Sequence, residues 1–151
     1  MVNMNDQSKV KNLASWNVSW ERINSPGDEL IKANGTIYIS NSEIETQIQN
    51  GNHFFIGTSN GNHARVYIEN PEFREYLGFD NKEEKITQFI LDEERCKQIF
   101  DYKTLVTFKK HLEDDIITNQ EKSTIINYAR KIKLNDYEKI QALQDHCEIT
   151  F

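Results

Sequence analysis

The chain has 151 residues and a mass of 17.8 kDa, which is the size of one ordinary domain. Its 18 Lys and Arg against 24 Asp and Glu give a formal charge of −6, which disfavours direct binding to the phosphate backbone of nucleic acid as the main activity. The longest apolar runs are only a few residues, far short of a membrane-spanning helix, so we expect no contact with a membrane.

The cysteine content and the first residues indicate the compartment. Cys96 and Cys147 are the only cysteines, and two thiols in a chain that can build a core fit a reducing environment. The polar start MVNMNDQSKVKN has no apolar segment of the kind that a secretory signal contains. We therefore predict a cytoplasmic protein, and the sequence leaves open whether the two cysteines pair.

The first third of the chain carries strand patterns. Residues 1–12 are polar and predict a flexible tail. Trp16, Val18 and Trp20 alternate with polar residues, which is typical of a half-buried strand. The segment TIYI at 36–39 predicts a second short strand.

A short helix and a hairpin are predicted next. Residues 43–49 lie between a capping box that begins at Ser42 and the Asn-Gly pair at 50–51, which is typical of a short helix. Two apolar segments then flank Ser59-Asn60-Gly61-Asn62, and an Asn-Gly pair in this position favours a tight turn. We therefore predict a β-hairpin over residues 53–68.

The second half is dominated by helical periodicity. Predicted helices cover 71–78, the segment from an Asp92 cap through Phe100, 103–113, 119–133 and 136–147. Together these patterns predict an α+β fold, in which a small β-rich N-terminal half (hairpin 53–68, short strands and one short helix) precedes a C-terminal helical bundle. After the tail at 1–12, we predict a single α+β domain over 13–151, with a β-rich part over 13–70 and a helical part over 71–148.

The predicted hairpin loop carries the candidate binding residues of the N-terminal half. Its small polar residues could cradle a phosphate with backbone amides, although the lysine of a phosphate-binding loop is missing. His53 and His63 flank the hairpin, but a zinc site needs two further ligands that the sequence does not provide nearby. The candidate residues for a ligand or partner here are Asn60, Asn62, His63, Arg65 and Tyr67.

One segment resembles an enzyme family. Residues 35–39 (GTIYI) and 54–59 (FFIGTS), followed by Arg65, resemble the strand pair of a GIY-YIG nuclease. The resemblance implies phosphodiester cleavage with Tyr38 and Arg65 in the site. The sequence departs from the family in one inserted residue after Gly35 and in Phe55, which replaces the second tyrosine.

Acidic residues supply the second candidate surface. Glu113, Asp114 and Asp115 are consecutive, and such a cluster could mimic the phosphates of nucleic acid toward a nucleic-acid-binding protein. The alternative interpretation is a solvated helix end, where acidic residues favour the helix dipole if they lie at the N-terminus.

No arrangement of residues supplies a nucleophile, a base and an orienting group at recognisable spacing, so we predict no catalytic residue, metal site or cofactor. We predict a small non-catalytic interaction protein with a protein partner. It would be encoded by a phage or mobile element and would act as an accessory protein or inhibitor. In that role it would dock on a larger nucleic-acid-handling protein. The alternatives are a phosphodiester-cleaving enzyme that uses Tyr38, Arg65, His53 and His63, and a nucleotide-binding module that uses loop 57–65. The sequence leaves the oligomeric state open.

Overall fold

The computed structural model describes residues 2–149 and shows the predicted α+β class. The strands are β1 (Gln7–Asn12), β2 (Val18–Glu21), β3 (Asp28–Ile31), β4 (Thr36–Ser40) and β5 (Val66–Ile68). The helices are α1 (Asn41–Gln49), α2 (His53–Ile56), α3 (Pro71–Tyr76), α4 (Glu93–Phe100), α5 (Leu105–Asp115), α6 (Asn119–Lys131) and α7 (Tyr137–Cys147).

The chain divides into two compact units, Met1–Ile90 and Leu91–Phe151. The sequence placed the change from β-rich to helical structure at residues 70–71. Helix α3 nevertheless belongs to the first unit, because the Phe73 side chain is fully buried in its core. That residues 13–151 act as one domain stays a prediction.

A three-stranded antiparallel sheet in the order β4-β1-β5 organises the first unit. The flexible tail predicted over 1–12 is therefore wrong for residues 7–12, which form the central strand. Val10 is fully buried between Ile37 of β4 and Ile68 of β5. Buried and half-buried positions alternate strictly from Ser8 to Asn12. The sequence does not indicate this alternation, because most residues of β1 are polar.

The polar residues of β1 are stable in the core because they are hydrogen bonded. Asn12 Nδ2 donates to the carbonyl oxygens of Trp16 and Ile31 at 2.7 and 3.1 Å, and Asn12 Oδ1 accepts from Ala14 N at 2.9 Å. Ser8 Oγ accepts from Asn70 Nδ2 at 2.9 Å. Ile31 and Asn70 lie far from their partners in the sequence, so sequence periodicity alone could not reveal the strand.

Strands β2 and β3 form a separate antiparallel hairpin, joined by residues 22–27. The Trp20 ring packs against Phe54 and Phe55, with ring centroids 5.7 and 5.2 Å apart. The aromatic rings thus connect this hairpin to the same core as the larger sheet.

The hairpin predicted over 53–68 is wrong in its first arm. Residues 53–56 form helix α2, because the Asn52 side chain accepts from Phe54 N at 2.9 Å and caps the helix. Phe55 is thereby buried in the core. The tight turn at 59–62 is present, but β5 after it pairs with β1 rather than with residues 53–58.

Within residues 91–149, four helices form the second unit, close to their predicted positions. Each begins at a side-chain cap, namely Asp92, Thr104, Thr118 and Asp136. Their apolar faces meet in one core that includes Ile99, Phe108, Leu112, Ile125 and Leu143. Within residues 2–149, no helix combines the length and apolar composition that crossing a bilayer requires.

Helices α5 and α7 lie side by side and run in the same direction. The Lys139 ammonium is 5.4 Å from the centroid of the Phe108 ring, and His146 Nε2 is 2.7 Å from the carbonyl oxygen of Ile116. Residues that come later in α5 therefore meet residues that come later in α7. As a result, both C-terminal ends lie at the same end of the unit.

Candidate functional site

The loop at 57–65 uses its backbone amides internally. Seven amides donate to carbonyl oxygens of the chain, namely those of Gly57, Thr58, Gly61, Asn62, His63, Ala64 and Arg65. A phosphate cradle requires amides that point toward the ligand. The geometry of this loop therefore does not support the nucleotide-binding alternative.

Three predicted binding residues of this loop lie in different environments. Asn60 is exposed at the turn with a left-handed backbone, φ 50°. Asn62 Oδ1 accepts from Phe89 N at 2.7 Å, and His63 N donates to Phe89 O at 2.9 Å. The His63 ring also lies against the Phe89 ring, with centroids 4.7 Å apart. Asn62 and His63 thus hold the segment around Phe89 against the loop by two hydrogen bonds and one ring contact.

The residues of the nuclease alternative do not converge. Tyr38 lies opposite Lys9 of β1, whereas Arg65 lies opposite Leu13, whose N–H donates to Arg65 O at 2.8 Å. Lys9 and Leu13 are four residues apart along the chain, and Tyr38 and Arg65 lie on opposite sides of this central segment. The Cα atoms of Tyr38 and Arg65 are therefore roughly 16 Å apart. His53 begins a helix, so the segment that resembles the second nuclease motif is not the strand that the resemblance implies.

The face of the β4-β1-β5 sheet that is turned away from the core combines basic and aromatic side chains. Lys9 lies opposite Tyr38, and Lys11 lies opposite Tyr67. The Tyr38 side chain is 63% exposed. We call this surface the cationic sheet face, and it comprises Lys9, Lys11, Tyr38, Arg65, Tyr67 and the neighbouring Trp16.

Two arginines position the aromatic rings of this surface. The Arg65 guanidinium lies 5.9 Å from the centroid of Trp16 and 5.5 Å from that of Phe54. The Arg74 guanidinium lies 4.6 Å from the Tyr67 ring, and Arg74 Nε donates to Asp80 at 2.9 Å. Such cation–π contacts favour ordered rings over freely rotating ones.

Sequence reasoning identified only part of this surface. Arg65 and Tyr67 were candidates, whereas Lys9, Lys11 and Tyr38 were not proposed as partner-binding residues. The alternation Ser8-Lys9-Val10-Lys11-Asn12 becomes informative only once β1 is known to be a strand. It places both lysines on one face of a strand.

Helix α5 ends in the acidic cluster predicted from sequence. Glu113 and Asp114 are exposed, and Asp115 Oδ2 lies 3.3 Å from His111 Nδ1. The cluster occupies the C-terminal end of the helix, not an N-terminal end where carboxylates would be favourable. Exposed Ile117 follows directly.

A groove of about 270 Å³ lies between α5 and α7. Its lining residues are Lys109, Leu112, Glu113, Ala142, Asp145 and His146. Leu112 and Ala142 are buried and form an apolar floor, whereas Glu113 and Asp145 are exposed at the rim. We call Glu113, Asp114, Asp115, Ile117 and Asp145 the α5 end.

The two cysteines are free thiols. Burial is the main cause that raises the pKa of the Cys96 thiol to about 12, and the nearby carboxylates of Asp92 and Glu93 contribute to this rise. Burial also raises the pKa of Cys147, although the Lys122 ammonium acts in the opposite direction. Since the thiolate is the reactive form, Cys96 is not a nucleophile at neutral pH.

The chain matches no protein-family model, no curated protein and no solved structure. Two surfaces combine charged side chains with exposed apolar ones, namely the cationic sheet face of the first unit and the α5 end of the second. They differ in the sign of their charge. Opposite charges on two surfaces favour different partners.

Proposed function

We propose that the protein is a non-catalytic interaction protein whose α5 end docks on a cationic surface of a larger nucleic-acid-handling protein. The observation that carries the proposal is the charge order of α5. Its last turn contains no basic residue and three carboxylates, Glu113, Asp114 and Asp115. This is the part of a helix where negative charge is least favourable.

The other helices of the second unit follow the helix dipole. Helices α4, α6 and α7 begin with acidic residues and have basic residues in their last turns. Carboxylates at the negative end of α5 cost stability, whereas carboxylates at an N-terminus increase it. The fold does not benefit from Glu113 and Asp114, but a cationic partner would.

The groove beside these carboxylates offers an apolar contact as well. Leu112 and Ala142 form its floor, and the rim carries the carboxylates of Glu113 and Asp145 beside exposed Lys109. A basic segment of a partner would place its cations on the rim and an apolar side chain over the floor. Charge complementarity would speed the encounter and set the register, while the apolar contact would slow dissociation.

A protein that binds the phosphate backbone must itself present a cationic surface. Exposed carboxylates of the α5 end would compete with phosphates for that surface. The role would then be that of an accessory protein or inhibitor in the cytoplasm. The abundance of Asn, Ile and Lys is typical of AT-rich coding sequences and fits a phage or mobile element of a low-GC bacterium.

The test uses full-length protein as bait in a lysate of a low-GC bacterium, with a charge-matched pair of variants. Glu113→Gln/Asp114→Asn removes two carboxylates from the α5 end, and Glu83→Gln/Glu84→Gln removes two exposed carboxylates from the first unit. We expect the wild type and the second variant to retain one stoichiometric nucleic-acid-binding protein, which the first variant loses. Rising salt should weaken the capture.

Stability measurements on the same variants provide the control. Because Glu113 and Asp114 oppose the helix dipole, their neutralisation should leave the second unit at least as stable as in the wild type. Equal capture of the partner by both variants would contradict the proposal. A less stable Glu113→Gln/Asp114→Asn variant would contradict its physical basis.

A further inference from the structure

We propose that the cationic sheet face binds single-stranded nucleic acid. The inference goes beyond the docking role of the α5 end and concerns the other unit of the chain. It depends on three observations: the local charge of the face, its exposed aromatic rings and their arrangement on an open sheet.

The charge of this face is opposite to that of the whole chain. Lys9, Lys11 and Arg65 give it a formal charge of +3, which the neighbouring Glu69 reduces to +2, whereas the chain carries −6. The Lys9 ammonium lies 3.7 Å from the Glu69 carboxylate, and both side chains are substantially exposed. An exposed pair at this distance is weak and can exchange for contact with a phosphate. A polyanion is therefore attracted to this face although the chain as a whole is acidic.

Aromatic rings lie at both ends of the face. Tyr38 is 63% exposed on β4, next to Lys9. Trp16 is 37% exposed at the other end, beside the Arg65 guanidinium. Exposed aromatic rings beside cationic groups are a combination that the bases and phosphates of a nucleic acid can both contact.

The spacing of these groups fits a short extended strand of nucleotides. Tyr38 and Arg65 are roughly 16 Å apart at their Cα atoms, and Lys11 and Tyr67 lie between them. Bases would stack on the Tyr38 and Trp16 rings, and the phosphates between them would contact Lys9, Lys11 and Arg65. Stacking platforms combined with a basic track are the chemistry that binds single strands without sequence preference.

Two other polyanions fit this face less well. The bases of a duplex are already stacked inside the helix and cannot reach the Tyr38 ring. An acidic polypeptide could pair with Lys9 and Lys11, but its carboxylates have no planar group to stack on Tyr38 and Trp16. The aromatic rings therefore favour a single-stranded nucleic acid over both.

The experiment titrates full-length protein into labelled oligo(dT), oligo(U) and a duplex of the same length, at low and at moderate salt. We expect saturable binding of one or both single strands, much weaker binding of the duplex, and quenching of tryptophan fluorescence as a base stacks on Trp16. The comparison of oligo(dT) with oligo(U) separates DNA from RNA as the source of the ligand. Poly-L-glutamate is added as a competitor that supplies charge without bases.

Tyr38→Ala tests the stacking. Loss of one base–ring contact should weaken binding roughly 5- to 150-fold, equivalent to about 1–3 kcal/mol. Tyr137→Ala is the control, because Tyr137 is 76% exposed in α7 of the other unit and should not affect binding. Circular dichroism should show that both variants are folded.

Lys9→Gln/Lys11→Gln tests the phosphate contacts. Loss of two contacts should reduce the slope of log affinity against log salt by about 1.4. The matched control is Lys97→Gln/Lys103→Gln, which removes two exposed charges from the second unit.

Several results would overturn the inference. They are absence of saturable binding to either single strand, equal affinity for the duplex, or an effect of Tyr38→Ala no larger than that of Tyr137→Ala. Displacement of the oligonucleotide by an equal charge concentration of poly-L-glutamate would identify an acidic protein as the occupant instead. Glu113→Gln/Asp114→Asn should bind the oligonucleotide like the wild type, so the two proposals fail separately.

Discussion

Replacing Val10 by alanine tests whether residues 7–12 form the central strand of the sheet. Val10 is fully buried and pairs with Ile37 on one side and Ile68 on the other. The change removes two methyl groups, each worth about 0.8 kcal/mol by transfer from water. The cavity left between two flanking strands increases the cost, so we expect the free energy of unfolding to fall by roughly 2–3 kcal/mol.

Tryptophan fluorescence during urea unfolding measures this effect selectively. The two tryptophans of the chain, Trp16 and Trp20, both belong to the first unit. Lys9→Ala is the matched control, because its side chain points to the opposite face of the same strand and its loss should cost less than about 0.5 kcal/mol. Equal losses for Val10→Ala and Lys9→Ala, or a loss below about 0.5 kcal/mol for Val10→Ala, would refute the burial of β1.

Three further predictions concern other parts of the chain. Gly57→Ala should lower the thermal midpoint of unfolding far more than Gly51→Ala. Both glycines have positive φ, but a Cβ at Gly57 would lie 2.1 Å from a backbone oxygen, whereas a Cβ at Gly51 would meet open space. Equal shifts of the midpoint would contradict the close approach at Gly57. Since burial raises the pKa of Cys96 from 9.0 to about 12, the unfolded chain loses this proton first, and stability should fall as pH rises through that interval. Cys96→Ala should reduce this dependence in circular dichroism-monitored urea unfolding, and an unchanged dependence would assign it entirely to other groups. Thr118→Ala removes the capping box of α6 and should cost about 1 kcal/mol in the same assay, whereas Thr118→Ser should retain most of the stability.

The helices could be predicted from sequence because their signals are local. The Asp92 side chain accepts from Arg95 N, and the Thr118 side chain accepts from Glu121 N, each only three residues away. The capping residue and the first turn of its helix are therefore adjacent in the sequence, where a local pattern can identify both. The helix around α6 was predicted at 119–133, and the structure has Asn119–Lys131.

The strand β1 and the helix α2 could not be predicted because distant contacts decide them. Burial of Asn12 requires carbonyl oxygens of residues that follow much later in the chain, such as Ile31. The segment HFFIGT has strand propensity, but the Asn52 cap and the burial of Phe55 favour a helical turn. Tertiary context overrides local propensity most easily in segments this short.

The candidate surfaces were only partly visible for a related reason. Glu113 and Asp114 are adjacent in sequence, so their cluster was evident, but its position at the end of α5 required the helix boundary. Lys9, Tyr38 and Arg65 come to lie on one face only through the pairing of β1 with strands on either side. A surface assembled from three separated strands has no signature in any single segment.

The order β4-β1-β5 has a consequence for the way in which the chain acquires its structure. Val10 pairs with Ile37, which is 27 residues further along the chain, and with Ile68, which is 58 residues further along. Contacts that close such long loops form slowly during folding. Contacts between helices that are adjacent in sequence, such as α4 and α5, form faster because the loop between them is short. During synthesis β1 emerges before both of its partner strands, so its residues would be among the last of their unit to reach their final hydrogen bonds.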